Sequence, residues 1–344
     1  MNKLRTMVAA GMAAGLAGFL GLTAHATADD AAAPLNANFY QSLKGKKIGF
    51  VPIAMGFNET QAWRAGMERQ AKDLGYEIVV RDPNWSIESG IQAINSLIAE
   101  KPDLMIIENI DDRSYTKLVK KSMDAGIPTI QTQQRTQTAS DGYMGPDWHE
   151  MGMRTAAGLI SLCGKEAGKN GKIAIIQGAL TAPASLYQIA GIEDALKSHP
   201  EITVVANQAD DWDATKANAI ASTILKQTPD ICGIAGFWDV ADAGIAAAVK
   251  EAGLQSKVAV VTSGSGNRES ACDKIAAGDF TYYTSYNTAG QARDLNALIR
   301  TMLQLKPKPG SQPVTLLSPL VKITKDSMNP TSCWSLKELE QAGG

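Results

Sequence analysis

Lys47-Ile48-Gly49-Phe50-Val51 and Lys172-Ile173-Ala174-Ile175-Ile176 decide the fold, because they are two copies of one strand-type run, 125 residues apart. The offset then stays at 125 or lengthens to 127, as a repeated unit with one small insertion requires. The matching landmarks are Gly66-Met67-Glu68 with Gly191-Ile192-Glu193, Glu77-Ile78-Val79-Val80 with Ile202-Thr203-Val204-Val205, Pro102-Asp103-Leu104 with Pro229-Asp230-Ile231, and Ala125-Gly126 with Ala252-Gly253. The chain therefore contains an internal repeat.

Each copy predicts the order strand, helix, strand, helix, strand, helix, strand. The strand-type runs are short, rich in β-branched residues and without strict alternation, which indicates strands buried on both faces of a parallel sheet. Apolar residues at helical spacing, as at Ile94, Leu97 and Ile98, predict the helices between them. Gly75 and Gly126 fall where helices should end. The sequence predicts an α/β protein of two Rossmann-like lobes.

The first residues predict a signal peptide over 1–26. Lys3 and Arg5 precede an apolar stretch from 7 to 22, and Ala24-His25-Ala26 resembles a cleavage site, with cleavage after Ala28 as an alternative. The stretch is short and glycine-rich for a membrane anchor. We expect export to the periplasm. The net charge of −2, with both signs interspersed, disfavours nucleic acid as a partner.

The four cysteines are even in number, as expected of disulfides in an oxidising compartment. They are Cys163, Cys232, Cys272 and Cys333, and three pairings are open. Buried free thiols are the alternative. The chain has no Cys-x-x-Cys spacing, which disfavours a zinc or redox site.

The repeat also predicts where a ligand binds, because open parallel sheets hold ligands beyond the carboxyl ends of their strands. The loops at those ends are 52–58, 108–113 and 131–135 in the first unit, and 177–187, 236–239 and 262–267 in the second. If the lobes face each other, the two sets of loops line one groove.

These loops carry aromatic rings beside polar groups, the combination that covers the apolar faces and polar rim of a sugar. The candidates are Phe57, Asn58, Gln134, Arg135, Asp147, Trp212, Trp238, Asp239 and Ser263, with Glu59 as a weaker one. Core packing is the alternative for the tryptophans, and a solvated surface position for Arg135. Trp63 and Trp334 are interpreted as packing residues, whereas Trp85 and Trp148 are left open.

The sequence disfavours catalysis. After cleavage only His149 and His199 remain, and neither belongs to a His-Glu-x-x-His or serine-hydrolase arrangement. No metal-ligand spacing and no phosphate-binding motif is present, so we expect no cofactor.

Residues 45–325 resemble the periplasmic sugar-binding proteins of the ribose-binding type, which deliver ligand to an ABC importer. The resemblance rests on 47–51, Ala71-Lys72-Asp73-Leu74-Gly75-Tyr76, Asp124-Ala125-Gly126-Ile127-Pro128, and Asp279-Phe280 leading into 284–291. It implies two lobes joined by a three-segment hinge, with crossings near 136–143, 286–290 and 307–313. The expected lobes are 35–137 plus 287–309 and 138–286 plus 310–344.

The resemblance also implies site residues. The aromatic positions of the family fall on Phe57 and Trp212, its Asn on Trp238, its polar hinge residue on Tyr286 beside Asn287, and its Arg on Arg135. Gln134 replaces the carboxylate before that Arg, the Arg expected near Leu186 is missing, and an expected Asp is replaced within 262–266. The departures make a sugar alcohol, deoxysugar or other polyol as plausible a ligand as a standard pentose or hexose.

The resemblance implies a monomeric, non-enzymatic receptor that docks on an ABC permease. A periplasmic sensor that hands its ligand to a chemoreceptor or histidine kinase would use the same cleft and stays open. A lactose-repressor-like regulator is disfavoured, because a signal peptide stands where its DNA-binding helices belong. We expect the tail beyond Lys325 to pack on the second lobe, tied by Cys333.

Overall fold

The computed structural model describes residues 33–341, so the predicted signal peptide at 1–26 lies outside the described residues. The strands are β1 Lys47–Val51, β2 Glu77–Val80, β3 Leu104–Glu108, β4 Thr129–Thr132, β5 Gly142–Gly145, β6 Lys172–Gln177, β7 Thr203–Ala209, β8 Gly233–Gly236, β9 Ala259–Gly264, β10 Tyr282–Ser285, β11 Val314–Leu317 and β12 Val321–Ile323. The helices are α1 Ala33–Leu43, α2 Asn58–Leu74, α3 Ile87–Glu100, α4 Asp112–Asp124, α5 Trp148–Cys163, α6 Pro183–Leu196, α7 Ala214–Gln227, α8 Asp239–Glu251, α9 Asp273–Ala276, α10 Thr288–Leu305 and α11 Leu336–Gln341.

The strands form two six-stranded sheets with equivalent orders. The first sheet runs β2-β1-β3-β4-β5-β11 and the second β7-β6-β8-β9-β10-β12. The strand pairs are parallel except for β10 with β12. Because each sheet begins with the same doubly wound order, the repeat deduced from the 125-residue offset is confirmed as two Rossmann-like lobes.

Burial on both faces accounts for the uninterrupted apolar strands. Residues of β3 are buried along the whole strand, as are those of β8. Ile48 and Phe50 of β1 pack in the core that α2 and α10 cover, and Val51 packs in the core beneath α3 and α4. Gly75 and Gly126 both lie in the left-handed region with φ of 77° and 83°, so they end their helices as predicted.

Two of the three predicted crossings are displaced along the chain. β5 pairs with β4 and β11 pairs with β5, so residues 142–145 and 314–317 belong to the first lobe and the boundaries predicted at 137 and 310 are wrong. Asp141 holds this edge, because its carboxylate accepts hydrogen bonds from the amides of Thr129 and Gly310. The chain crosses near 146–147, 286–287 and 318–320, and only the middle crossing lies where the sequence predicted it.

Two disulfides stabilise the second lobe. Cys163 at the end of α5 bonds to Cys232, and Cys272 bonds to Cys333 in the tail. The tail prediction is correct as far as Trp334, which is buried and donates a hydrogen bond from Nε1 to the carbonyl of Ser265. Beyond that point α11 lies against α2 of the first lobe, so the tail contacts both lobes.

No helix within residues 33–341 has the length and apolar character needed to cross a bilayer. In the same part of the chain, no group of three or more His, Cys, Asp or Glu side chains is arranged to hold a metal ion.

Candidate functional site

A cavity lies between the lobes, at the carboxyl ends of the strands of both sheets. Its wall residues are Ile53, Phe57, Glu59, Trp85, Glu108, Gln133, Gln134, Trp148, Ala184, Trp212, Phe237, Trp238 and Tyr286. The loops that follow β1, β3, β4, β6 and β8 supply or adjoin most of them, as the strand-end rule predicts.

Four aromatic rings from both lobes surround the mouth of the cavity. Phe57 and Trp85 of the first lobe lie with their ring centroids 5.7 Å apart. Trp238 of the second lobe lies 5.7 Å from Phe57, 6.0 Å from Trp85 and 6.3 Å from Trp212. These four rings, which we call the aromatic mouth, therefore join the lobes directly.

Trp85 and Trp212 are equivalent residues of the repeat, 127 positions apart. Each follows the second strand of its lobe, and both lie in the left-handed backbone region, with φ of 68° and 66°. This conformation is unfavourable for a bulky side chain and is often retained for function. Gly178 supports Trp212, because a Cβ at residue 178 would collide with the indole.

Two carboxylates form the acidic floor of the cavity. Glu59 lies in the first turn of α2, only 5% exposed, and Glu108 ends β3. Oε2 of Glu59 accepts a hydrogen bond of 2.9 Å from the Tyr286 hydroxyl, while its buried Oε1 has no hydrogen-bond partner within the described residues. Oε2 of Glu108 accepts from the amide of Ile53 at 3.0 Å.

Burial shifts the pKa values of these carboxyl groups upward. Desolvation is the main cause of the raised pKa of Glu59, and the nearby charge of Glu108 raises it further. Desolvation also raises the pKa of Glu108 to about 8, although the Ile53 hydrogen bond opposes the shift. The site thus combines largely buried or half-buried aromatic rings with desolvated acids.

Hydrogen bonds between the lobes accompany the ring contacts. The Ala184 amide of the second lobe donates to Oε1 of Gln134 in the first lobe at 3.1 Å. The Asp112 amide donates to the Thr181 carbonyl at 3.1 Å. The lobes therefore contact each other along both the rings and the loops beside them.

The structure brings together part of the predicted site. Six of the predicted ligand contacts line the cavity, namely Phe57, Gln134, Trp212, Trp238 and Tyr286 together with the weaker candidate Glu59. Trp63 and Trp334 are buried packing residues, as interpreted from the sequence. Trp85 and Trp148, which the sequence left open, both line the cavity, and the Trp148 ring lies 5.7 Å from that of Tyr286.

Three other predicted contacts stand at helix starts and do not line the cavity. The Asp147 carboxylate accepts hydrogen bonds from the amides of His149 and Glu150 at the start of α5. The Asn287 side chain accepts from the amide of Gly290 at the start of α10, and Asn58 is the first residue of α2. Capping of the free helical amides accounts for the positions of Asp147 and Asn287.

Arg135, Asp239 and Ser263 also lie outside the cavity wall. Arg135 is exposed, with its guanidinium 4.8 Å from the centroid of the Tyr143 ring. Asp239 is buried, accepts hydrogen bonds from the hydroxyls of Ser270 and Tyr283, and has a pKa raised by burial to about 6. Ser263 donates to the carbonyl of Phe237, so it supports the wall from behind.

The sequence reasoning missed several wall residues, among them Glu108, Gln133 and Phe237. Glu108 opens one of the predicted cleft loops, so its position near the cleft could be predicted from the sequence. The burial of its carboxyl group could not. Trp85 could have been assigned from the repeat, because it is the 127-residue counterpart of Trp212. Glu59, the weaker candidate from the sequence, and Glu108 supply two carboxyl groups at positions other than those that the resemblance implied.

Comparison with known proteins agrees with this architecture. Residues 48–307 match the periplasmic binding protein domain. The chain is 28% identical over 180 residues to a D-ribose/D-allose-binding protein of Pseudomonas aeruginosa, covering 50% of this chain and 55% of that protein. It is 26% identical over 280 residues to a xylitol-binding protein of Mycolicibacterium smegmatis, covering 81% and 75% of the two chains.

Solved structures share the fold. A carbohydrate transporter solute-binding protein of Agrobacterium radiobacter, in complex with D-arabinose, superposes with a TM-score of 0.74 at 18% identity, over 83% of this chain and 96% of that one. A periplasmic solute-binding protein of Actinobacillus succinogenes with bound D-allose gives 0.70 at 22% identity, over 82% and 98%. These relatives and structural neighbours are binding proteins, in agreement with the prediction that the chain is not an enzyme. The match over residues 48–307 means that this chain belongs to the periplasmic binding protein domain family.

Proposed function

We propose that this chain is the periplasmic substrate-binding component of an ABC importer, and that it captures a monosaccharide or sugar alcohol between its lobes. The observation that carries the proposal is the cavity itself, whose wall combines rings and hydrogen-bonding side chains from both lobes. Rings cover apolar C–H faces, while Gln133, Gln134 and the acidic floor suit hydroxyl groups.

Closure about the three crossings is the proposed mechanism. The ring contacts across the mouth form only when the lobes approach each other. A ligand between the lobes therefore favours the closed form to the extent that it binds that form more tightly than the open form. The closed lobes would then present a joint surface to an ABC permease. Export by the predicted signal peptide and a monomeric state belong to the same proposal.

The sugar or polyol part of the proposal has support from relatives named for ribose, allose and xylitol. The test is a thermal-shift screen of the purified mature protein against monosaccharides and sugar alcohols, because a ligand that binds only the folded state raises the midpoint. Isothermal titration then measures the affinity of each ligand found. Uptake of that ligand should be lost when the gene is deleted and restored by the wild-type gene; binding of no monosaccharide or sugar alcohol would contradict the proposal.

A further inference from the structure

We infer that the ligand of this cavity carries a positive charge, as a small hydroxylated amine or quaternary ammonium ion held between the aromatic mouth and the acidic floor. The inference rests on the proposed function, because it specifies the ligand class of the same cleft. It adds a requirement for charge that sugars and sugar alcohols do not meet.

The first observation is that the wall contains two acids and no basic side chain. Glu59 and Glu108 are both buried, and no cavity-lining residue in the described chain is a Lys, Arg or His. Arg135, the cation that the sequence placed in a cleft loop, lies outside the wall against Tyr143. A buried carboxyl group without a cation keeps its proton, in line with the raised pKa values of both groups, and a cationic ligand beside them would favour the ionised forms.

The second observation is an acceptor without a donor. Oε1 of Glu59 is buried in the cavity wall and has no hydrogen-bond partner in the described part of the chain, while its Oε2 is held by Tyr286. Tyr286 therefore fixes the carboxylate and leaves one oxygen for a donor from the ligand. A buried acceptor of this kind is costly unless it is satisfied when the site is in use.

The third observation is the number of rings. Phe57, Trp85, Trp212 and Trp238 form the mouth, and Trp148 with Tyr286 continues the aromatic wall inward. The faces of aromatic rings attract cations, and quaternary ammonium ligands are recognised by cages of such rings. Rings alone would also suit a sugar, but rings combined with two buried acids and no basic side chain favour a cation.

Two further acids are buried behind the wall. Asp239 and Asp242 are buried in the second lobe, and the charge of Asp239 contributes to the raised pKa of Glu59. An ammonium nitrogen in the cavity would favour the ionised forms of these acids and be attracted to them, whereas a neutral ligand would not.

The test uses two matched pairs of probes in isothermal titration with the mature protein. Choline is compared with 3,3-dimethylbutan-1-ol, which replaces the ammonium nitrogen by carbon. Glucamine is compared with sorbitol, which replaces the amine by a hydroxyl. We expect at least one charged probe to bind roughly tenfold or more tightly than its neutral partner, and the pair that responds distinguishes a quaternary from a primary ammonium ligand.

The matched variants are Glu59→Gln and Glu77→Gln. Glu59→Gln removes the charge and keeps an oxygen for Tyr286, so it should abolish the preference for the charged probe. Glu77 is exposed at the amino end of β2, away from the cleft, and E77Q should keep the preference. If E59Q unfolds at a lower midpoint than the wild type, Glu108→Gln is used in its place, because it also removes an ionisable carboxyl group from the acidic floor.

The outcomes separate this inference from the proposed function. Equal or tighter binding of the neutral probes, or no binding of either charged probe, overturns the inference. If monosaccharides or sugar alcohols nevertheless bind, the proposed function stands. A preference for the charged probe that E59Q removes supports the inference, even if every neutral carbohydrate fails and the sugar proposal is lost.

Discussion

The ring of Phe57 in the first lobe meets the ring of Trp238 in the second lobe edge to face, with centroids 5.7 Å apart and planes at 74°. Trp85 completes the contact from the first lobe at 6.0 Å from Trp238. Edge-to-face pairs of this geometry contribute about 0.5–1.5 kcal/mol beyond the area they bury. Trp238 therefore stabilises the approach of the lobes as well as lining the cavity.

We expect Trp238→Ala to raise the Kd of the ligand identified by the screen roughly tenfold or more, because the variant loses two interlobe ring contacts and part of the wall. Isothermal titration measures the change. Tyr40→Ala is the control, since Tyr40 is exposed on α1 outside the cavity and should bind as the wild type does. An unchanged Kd in W238A would mean that the mouth does not close on the ligand.

Gly178 and Trp212 provide a test of ring placement. A Cβ at residue 178 would collide with the Trp212 indole, so we expect Gly178→Ala to displace the ring, weaken ligand binding and lower the free energy of unfolding by about 1–3 kcal/mol. Gly56→Ala is the matched control, because no atom lies within 4 Å of the Cβ it would add. Urea unfolding and tryptophan fluorescence check both variants, and equal behaviour of the two would contradict the packing argument.

The two lobes could be predicted from the sequence because the repeat and the apolar strands are local features. The edge of the first sheet could not, because β5 is a four-residue strand with glycine at both ends and little strand character. Its place depends on pairing with β4 and with β11, which lies about 170 residues further along the chain. The crossings at 146–147 and 318–320 were displaced for that reason.

The candidate site, too, could be predicted from the sequence only in part. The rings lie in strand-end loops that can be read from the sequence, so the sequence could place Phe57, Trp212 and Trp238 at the cleft. The acidic floor depends on burial, and burial of Glu59 involves Tyr286, which is 227 residues away. The local sequence pattern predicts which residues reach the cleft, but it does not predict which carboxyl groups are buried there.

The raised pKa of Glu108 predicts how stability depends on pH. Its pKa is about 8 in the folded protein against an ordinary value of 4.5, so the folded state binds the proton more tightly than the unfolded state. The contribution of the Glu108 proton to the free energy of unfolding is therefore fully present below pH 4.5. It is lost as pH rises towards 8, by about 1.4 kcal/mol for each pH unit crossed. The raised pKa values of Glu59 and Asp239 act in the same direction.

Urea unfolding of the protein without ligand at pH 5, 6, 7 and 8 measures this slope. We expect Glu108→Gln to flatten it, because the amide keeps an oxygen for the Ile53 amide and does not ionise. E77Q should retain the wild-type slope, since Glu77 is exposed. A wild-type stability that rises between pH 5 and pH 8 would contradict the burial of an ionisable floor.

The two disulfides should have separable effects. Cys163–Cys232 and Cys272–Cys333 close loops with sequence separations of 69 and 61, so similar losses of about 2–4 kcal/mol are expected when either is replaced by a pair of serines. Only the second bond ties the tail to its lobe. We expect Cys272→Ser with Cys333→Ser to speed tryptic cleavage after Lys325 and Lys337, and Cys163→Ser with Cys232→Ser to leave the cleavage rate at those sites as it is in the wild type.

Limited proteolysis followed by mass spectrometry distinguishes tail release from general unfolding, because global destabilisation would speed cleavage throughout the chain in both double variants. The contacts of Trp334 and α11 oppose release, since Trp334 donates to Ser265 and the Leu339 carbonyl accepts a hydrogen bond from Arg69 of α2. If these contacts hold the tail without the disulfide, cleavage after Lys325 and Lys337 stays slow in both double variants. The Cys272–Cys333 bond would then stabilise the second lobe without being needed to hold α11 against the first.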